Sequence, residues 1–247
     1  MTKTFEHHES VYSDSSAEVI VPLLIKLFNP KSVVDVGCSI ANFLKIFLKN
    51  EVKDIQGFDG AWVDLSKLAS NIPVEKFQKI DLEKEFVQYA SEGKKKYDVL
   101  ISLEVAEHLS ADFSKNFVKS LCLLSDTIVF SAAVPLQGGQ DHINEQWHSY
   151  WIKIFNDVGY VCHDKIRKII WQEPNVHWWY RQNIFHFTKS DKSFVEWSDN
   201  DLSFPSDIVH PDHIKEKATW INNIQTGNIS WGYVYHHFKN IIKSKLR

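Results

Sequence analysis

The sequence predicts an α/β fold: a doubly wound, mostly parallel sheet of seven strands that ends in an antiparallel hairpin, followed by a helical C-terminal extension. Short apolar segments rich in β-branched residues alternate with amphipathic segments of helical period from residue 32 to residue 157. Near-continuous apolar strands that alternate with helices indicate a parallel sheet covered on both faces. The last two apolar segments follow each other without a predicted helix between them, which favours an antiparallel pair.

The first predicted element is a helix from Ala17 to Phe28, with Asp14, Ser15 and Ser16 as candidate caps. Asn29-Pro30 ends it. The following elements are strands 32–36, 55–58, 77–80, 97–102 and 127–132, helices 40–49, 62–69, 83–91, 112–124 and 145–157, and the hairpin segments 160–171 and 180–188. Beyond the sheet we expect helices near 212–224 and 231–245. The predicted domain therefore spans 1–190, with a helical lead over 1–30, and the extension over 191–247 packs on it.

Composition and charge narrow the class of protein. The chain has 247 residues, 44% hydrophobic and 24% charged, which suits one globular domain with additions. A net charge of −3, with only Lys239–Arg247 locally basic, argues against nucleic acid or an anionic membrane as partner. No apolar run approaches the ~20 residues of a membrane span, and no signal-peptide core is present. Three cysteines in apolar segments predict reduced, buried thiols in a cytoplasmic protein, namely Cys38, Cys122 and Cys162.

An acid stands at the end of each of the first four predicted strands: Asp35, Asp59, Asp81 and Glu104. Asp35 is followed at once by Gly37 and an amphipathic helix. The carboxyl ends of parallel strands share one edge of a sheet, and a helix N-terminus points at the same place. This spacing predicts a nucleoside-binding site at that edge.

Residues 30–190 resemble the class I S-adenosylmethionine (SAM)-dependent methyltransferases, whose first motif reads D-x-G-C-G-x-G. Asp35, Gly37 and Cys38 match the motif, whereas Ser39 and Ala41 replace two of its glycines. Alanine rarely adopts a positive φ, so we expect this loop to be shaped differently. A Rossmann dehydrogenase is the nearest competitor, but it requires G-x-G-x-x-G. An α/β domain whose strands end in acids without binding a nucleoside is the third interpretation.

The resemblance implies a role for each strand-end acid. Asp59 matches the acid that binds the ribose hydroxyls, Asp81 and Leu82 match the pair that flanks the adenine, and Glu104 lies beside the methionine part of the cofactor. The predicted SAM site therefore consists of Asp35, Gly37, Cys38, Asp59, Asp81, Leu82 and Glu104.

The segment Glu104–Leu109 reads E-V-A-E-H-L, where many class I enzymes carry E-V-x-E-H-L and amino-group nucleic-acid methyltransferases carry N/D-P-P-Y. It is similar to the segment that ligates Mg²⁺ in ubiquinone-pathway O-methyltransferases and the divalent metal in small-RNA 2′-O-methyltransferases. The resemblance implies an Mg²⁺ or Mn²⁺ site of Glu104, Glu107, His108 and His142. Alternatively, Glu107 and His108 begin the next helix and bond its free amides.

His142 is the candidate general base, and His108 is the second catalytic candidate. His142 lies in the loop after the fifth predicted strand, where Asp141 or Glu145 could orient its ring. The unperturbed pKa of histidine, about 6.5, suits proton abstraction at neutral pH. The sequence does not separate this role from that of a metal ligand. We favour the metal-free base.

Aromatic side chains in the helix after residue 144 and in the last hairpin predict the acceptor surface. The candidates are Trp147, Tyr150, Trp178 and Trp179, and we expect Arg181, Gln182 and Asn183 to hydrogen-bond acceptor hydroxyls. Packing against the sheet is the competing role. These segments resemble methyltransferases of bacterial surface-polysaccharide pathways.

The predicted function is SAM-dependent O-methylation of a sugar or a sugar-linked small group. Two alternatives remain: a metal-dependent RNA 2′-O-methyltransferase, and a SAM-binding sensor without catalysis. A small-molecule or sugar acceptor is the expected partner, nucleic acid and a membrane are not, and a homodimer is left open.

Overall fold

The computed structural model describes residues 13–93, 95–190, 206–228 and 232. The chain divides into two compact units, Met1–Ile208 and Val209–Arg247. The first unit contains the sheet, and the second contains the helix Pro211–Gln225. Of the helix predicted near 231–245, only Gly232 is among the described residues.

The strands and helices occur largely in the predicted order. The strands are β1 (Ser32–Val36), β2 (Asp54–Asp59), β3 (Phe77–Lys79), β4 (Val99–Leu103), β5 (Thr127–Ser131), β6 (Tyr160–His163) and β7 (Phe185–Lys189). The helices are α1 (Ser15–Phe28), α2 (Asn42–Lys49), α3 (Leu65–Asn71), α4 (Phe86–Ser91), α5 (Ser114–Leu124), α6 (His148–Asp157), α7 (Lys165–Ile170), α8 (Trp178–Asn183) and α9 (Pro211–Gln225). Short 3₁₀ helices cover Val74–Lys76, Ala106–His108 and Ala111–Phe113.

The seven strands form one sheet in the order β3-β2-β1-β4-β5-β7-β6. Strands β1 to β5 run parallel, and β7 runs antiparallel to both β5 and β6. Leu100 of β4 lies in one apolar cluster, whereas its neighbours Val99 and Ile101 lie in the other. Because successive strand residues point to opposite faces, both faces of the sheet are covered. The predicted fold class is confirmed. The strand order reverses between β1 and β4, which places the expected ligand crevice at their carboxyl ends.

The connection between β6 and β7 differs from the predicted hairpin. The two strands pair antiparallel as expected, but α7 and α8 lie between them. In α7 the side chains of Ile166 and Ile170, four residues apart, are buried in the same apolar cluster as Val176. That spacing is helical, and an apolar run of this length does not by itself separate a strand from a helix.

The helix predicted from residue 145 begins at His148. The preceding segment finds other hydrogen-bond partners: the amide of Gln146 donates to the carbonyl of Ala133 (3.2 Å), and the Asn144 side chain donates to Ser114 Oγ (3.0 Å). The amide of Asn144 also donates to the carbonyl of Glu107 (3.0 Å), so these backbone groups are satisfied without a helix.

The three cysteines are free thiols, as predicted, although Cys122 is only partly buried. No helix in the described part of the chain is long and apolar enough to cross a membrane.

The loop after β1 has a left-handed backbone at both positions where the motif has glycine and this chain does not. Ser39 has φ 50° and Ala41 has φ 66°. The alanine thus adopts the positive φ that is unfavourable for it, and the amide of Ser39 donates to Asp59 Oδ2 at 2.7 Å. A left-handed residue other than glycine carries a strain of roughly 1–2 kcal/mol.

Replacing Ser39 by glycine is accordingly expected to raise the free energy of unfolding by about 1 kcal/mol, because glycine adopts φ 50° without that strain. Ser39→Ala is the matched control, since it removes the hydroxyl and keeps the strain. Urea unfolding of the three proteins tests this. Equal stability of the glycine and alanine variants would show that the backbone at residue 39 is unstrained.

Candidate functional site

Two strand-end acids lie buried at the carboxyl edge of the sheet, next to the crevice between β1 and β4. Asp35 is the fourth residue of β1, and Asp59 ends β2. Burial and the neighbouring Asp59 raise the pKa of Asp35 well above its usual value. Gly37, with φ 87°, lets the chain turn there: a Cβ on it would lie 2.2 Å from a methyl group of Val105. The motif glycine is thus required by the close approach of the segment after β4.

Asp59 organises the loop that would receive a nucleoside. Its Oδ2 accepts from the Ser39 amide (2.7 Å) and its Oδ1 from the Gly60 amide (2.6 Å), and the Trp62 side chain also bonds to it. Burial raises the pKa of Asp59 to about 6, although these hydrogen bonds oppose the shift. The Trp62 ring covers Gly60, where a Cβ would meet it at 2.1 Å. Trp62 is a site residue that the sequence reasoning did not single out.

The remaining predicted cofactor residues differ in environment. Leu82 and Cys38 are buried, and burial raises the pKa of the Cys38 thiol. Asp81 follows β3 by two residues and is partly exposed, with its Oδ1 accepting from the amides of Glu83 and Lys84 (3.0 and 3.2 Å). Its Oδ2 pairs with Lys84 Nζ at 2.9 Å. Asp81 thus supports the turn into α4 in addition to any contact with a ligand.

Glu104 follows β4 in a left-handed conformation, φ 55°, and its amide donates to Ser131 on β5. Its carboxylate accepts from Gln137 Nε2 (2.8 Å) and from Asn183 Nδ2 (3.1 and 3.2 Å). Burial raises the pKa of Glu104, and these amide donors oppose the shift. Asn183 and Gln182 are predicted from the sequence to hydrogen-bond acceptor hydroxyls. That assignment is corrected, because Asn183 bonds Glu104 and Gln182 bonds Gln137 and Asn183.

Glu107, His108 and His142 form a compact group in which one ligand atom of each residue lies within 4.8 Å of the others. The rings of His108 and His142 meet edge to face, with centroids 4.8 Å apart. Glu104, a metal ligand in the site that the resemblance implies, is not a member of this group.

Glu107 is fully buried, and neither carboxylate oxygen has a hydrogen-bond partner of normal geometry among the described residues. Burial and the nearby Glu104 raise its pKa well above the usual value. The alternative role, in which Glu107 and His108 begin the next helix, is wrong. They lie in a separate 3₁₀ helix, and α5 begins only at Ser114.

His142 is held by Glu145. Its Nδ1 lies 2.9 Å from Glu145 Oε1, and Glu145 also accepts from the amides of Leu136 (2.8 Å) and Gly138 (2.6 Å). Of the two predicted orienting acids, Glu145 makes this contact and Asp141 lies exposed. In the tautomer whose Nδ1–H donates to this carboxylate, Nε2 carries the lone pair that can accept a proton. Gly139 gives the ring room, since a Cβ there would lie 2.2 Å from Nε2.

The predicted acceptor residues differ in exposure and in packing. Trp178 and Trp179 are half-buried on α8, and Trp179 stacks on His177 with centroids 4.3 Å apart. Tyr150 packs against the core edge-on to Trp151, and Trp147 is exposed before α6. The structure thus supports the packing role for Tyr150.

Tyr180 on α8 lies near the acids at the carboxyl edge of the sheet. The carboxylates of Glu104, Asp35 and Glu107 all help to raise the pKa of its hydroxyl, after burial as the main cause. Its ring packs edge-on against Phe43 of α2, with centroids 5.7 Å apart. A tyrosine inside an aromatic run carries no sequence signal that distinguishes it from its neighbours.

The sheet order and the acids at its carboxyl edge define the fold of the class I SAM-dependent methyltransferases. The chain belongs to the methyltransferase domain family, which matches residues 12–199. No curated protein sequence matches it.

Solved structures share this fold at low identity. DesVI of Streptomyces venezuelae is 12% identical with a TM-score of 0.53, and the match covers 75% of this chain and 100% of that one. Magnesium protoporphyrin IX methyltransferase (ChlM) of Synechocystis PCC 6803, with bound S-adenosylhomocysteine (SAH), is 17% identical with a TM-score of 0.50, covering 72% and 83%. The methyltransferase domain of bacterial CtHen1-C is 20% identical with a TM-score of 0.50, covering 71% and 97%. These similarities show the fold alone.

Proposed function

We propose that this protein is a SAM-dependent O-methyltransferase whose acceptor is a hydroxyl of a sugar or of a small sugar-linked group. The observation that carries the proposal is the His142 ring, held by Glu145 at 2.9 Å and close enough to Glu104 to influence its pKa. An oriented imidazole beside the carboxylate assigned to the methionine end of the cofactor is the arrangement that hydroxyl methylation needs.

The charge of the edge supports SAM as the cofactor. SAM carries a sulfonium and an ammonium cation, and the edge holds the buried carboxylates Asp35, Asp59 and Glu104. Burial raises all three pKa values, so a bound cation stabilises the ionised forms. In this proposal Asp59 binds the ribose, Glu104 faces the methionine end, Asp81 and Leu82 flank the adenine, and the Asp35–Cys38 loop lies under the cofactor.

Methyl transfer is an in-line displacement at the sulfonium methyl group by the acceptor oxygen. His142 Nε2 accepts the hydroxyl proton as the new C–O bond forms, while Glu145 stabilises the resulting imidazolium through Nδ1–H. The C–S bond breaks and leaves SAH, whose sulfur keeps the electron pair. General-base catalysis of this kind contributes roughly 10²–10⁴-fold to the rate.

A metal-assisted version has its own specific observation. Glu107, His108 and His142 offer three ligand atoms within 4.8 Å, and the buried Glu107 oxygens have no hydrogen-bond partner of normal geometry among the described residues. One carboxylate and two imidazoles fit a divalent transition-metal cation such as Mn²⁺ better than Mg²⁺, which prefers oxygen ligands. Such a cation would lower the pKa of the acceptor hydroxyl. His142 would then act as a ligand rather than as the base.

The sugar acceptor is supported by the surroundings of His142. Large apolar side chains lie exposed near it in the sequence: Leu136 (84%), Ile143 (63%) and Trp147 (42%). Rings and aliphatic groups of this kind suit the C–H face of a sugar. RNA is the alternative acceptor, and a net charge of −3 provides little of the electropositive surface that RNA binding normally requires.

Release of SAH from SAM with nucleotide sugars and short RNAs, assayed side by side, tests the proposal. We expect turnover with a nucleotide sugar and weak salt dependence. Turnover with RNA alone, falling steeply as salt rises, would support the RNA alternative. SAM binding without turnover on any acceptor would support the sensor.

SAM affinity is expected to fall as the pH falls below about 6, because Asp59, whose pKa is raised to about 6, must be ionised to accept both ribose hydroxyls. The folded protein holds this proton more tightly than the unfolded chain, so the group also lowers the stability of the free protein as pH rises from about 4 to 6. Calorimetry between about pH 5 and 8 measures the affinity. Asp59→Asn should flatten this dependence, and an unchanged slope in that variant would assign the effect to another group.

A further inference from the structure

Asn183 ends α8, is buried, and connects Glu104 to three other polar side chains. Its Nδ2 donates to both Glu104 oxygens (3.1 and 3.2 Å) and to Gln137 Oε1 (2.9 Å). Its Oδ1 contacts Gln182 Nε2 (3.1 Å) and His148 Nε2 (3.2 Å). Both ends of the amide are thus used, and each end faces a partner of the opposite kind.

This environment specifies an amide at position 183. One side supplies acceptors, the Glu104 carboxylate and the Gln137 carbonyl, and the other side supplies donors. Burial lowers the pKa of His148 to about 4, so the ring is neutral near pH 7 and donates its single N–H toward Asn183 Oδ1. An aspartate has almost the same shape, but it would place a second carboxylate against Glu104.

The network also connects the cofactor edge with α8. Tyr180 is three residues before Asn183 on α8, and its hydroxyl is influenced by the carboxylates of Glu104 and Asp35. Residues three apart on a helix lie on the same side. Asn183 and Tyr180 therefore face the same edge of the sheet. The hydrogen bonds between Asn183 and Glu104 thus hold the side of α8 that lines this edge.

We propose that Asn183 is a positioning residue that aims the Glu104 carboxylate at the methionine end of SAM and couples α8 to the binding of that end. This inference rests on the proposed SAM-binding function and deepens it. In this proposal Asn183 acts on the cofactor only through Glu104, which faces the methionine end. Removing Asn183 should therefore weaken the binding of the methionine end of SAM and leave the binding of the adenosine part unchanged.

The test compares two ligands by calorimetry, SAM and 5′-methylthioadenosine, which has the adenosine part and lacks the amino-acid end. We expect Asn183→Asp to weaken SAM binding at least about tenfold and to change methylthioadenosine binding less than about twofold, since a charged hydrogen bond near Glu104 is lost. Asn175→Asp is the matched control. Asn175 Nδ2 donates to Glu173 Oε1 at 2.9 Å on the exposed surface, so this variant makes the same chemical change away from the site.

Each outcome decides a separate question. Equal loss of both ligands in Asn183→Asp, or loss of neither, overturns the positioning role. If wild-type protein binds neither ligand, the proposed function fails before the inference is reached. Thermal unfolding checks whether the aspartate variant folds. If it does not, Asn183→Ala, which adds no charge, replaces it. We expect the same selective loss of SAM affinity from Asn183→Ala.

Discussion

Replacing His142 by alanine is expected to lower kcat about 10²–10⁴-fold and to leave SAM affinity within about twofold. The variant removes the ring that Glu145 holds at 2.9 Å, and no cofactor contact is assigned to it. Under the metal-free reading, activity should be unaffected by a chelator. The pH profile of wild-type kcat should show a base that the variant lacks.

Glu107→Gln separates the base from the metal. The amide keeps the size of the side chain and removes the negative charge, so a hard cation loses its only carboxylate ligand in the group. With His142 acting alone, Glu107→Gln should change kcat far less than His142→Ala, because burial already raises the pKa of Glu107. Three results together would contradict the metal-free base. A chelator abolishes turnover, added Mg²⁺ or Mn²⁺ restores turnover, and Glu107→Gln lowers kcat as much as His142→Ala does.

Asp59→Ala should weaken SAM binding by about 1.5–3 kcal/mol, roughly 10–150-fold, the scale of hydrogen bonds to a charged group. Asp59 already accepts from the amides of Ser39 and Gly60, and a carboxylate has further lone pairs for two ribose hydroxyls. Because the ribose is common to both ligands, SAM and 5′-methylthioadenosine should lose affinity together. That result contrasts with the selective loss expected from Asn183→Asp.

Asp64→Ala is the matched control for Asp59. Asp64 caps α3, where Oδ1 accepts from the amides of Ser66 (2.9 Å) and Lys67 (3.2 Å), and it lies exposed outside the proposed site. Its loss should reduce stability by about 1 kcal/mol and leave SAM affinity unchanged. Equal weakening of SAM binding in the two variants would remove the ribose role from Asp59.

Much of the fold could be predicted because a strand that is buried on both faces has a contiguous apolar sequence. Strands β1 and β5 appear almost with their predicted bounds. The apolar segment 160–171 contains the end of a strand and a helix, and its sequence does not show that the strand ends at His163. The start of α6 was also missed, because it depends on the distant partners Ala133 and Ser114.

The candidate site was predicted where it follows from motifs at strand ends. Asp35, Asp59 and Glu104 lie at the expected edge, and Glu107, His108 and His142 come together. The supporting amides Gln137 and Asn183 could not be assigned from sequence, because their partners are 33 and 79 residues from them along the chain. For Asn183 the available signal is a polar residue inside an apolar segment, and the sequence alone favours a contact with the acceptor.

Calorimetric titration of the wild-type protein with SAM tests the central claim most directly. The acids at the carboxyl edge predict binding at micromolar affinity, about −8 kcal/mol, with SAH also bound. A nicotinamide dinucleotide should give no binding heat, since the loop after β1 lacks the G-x-G-x-x-G pattern. Binding of the dinucleotide together with no binding of SAM would contradict the account.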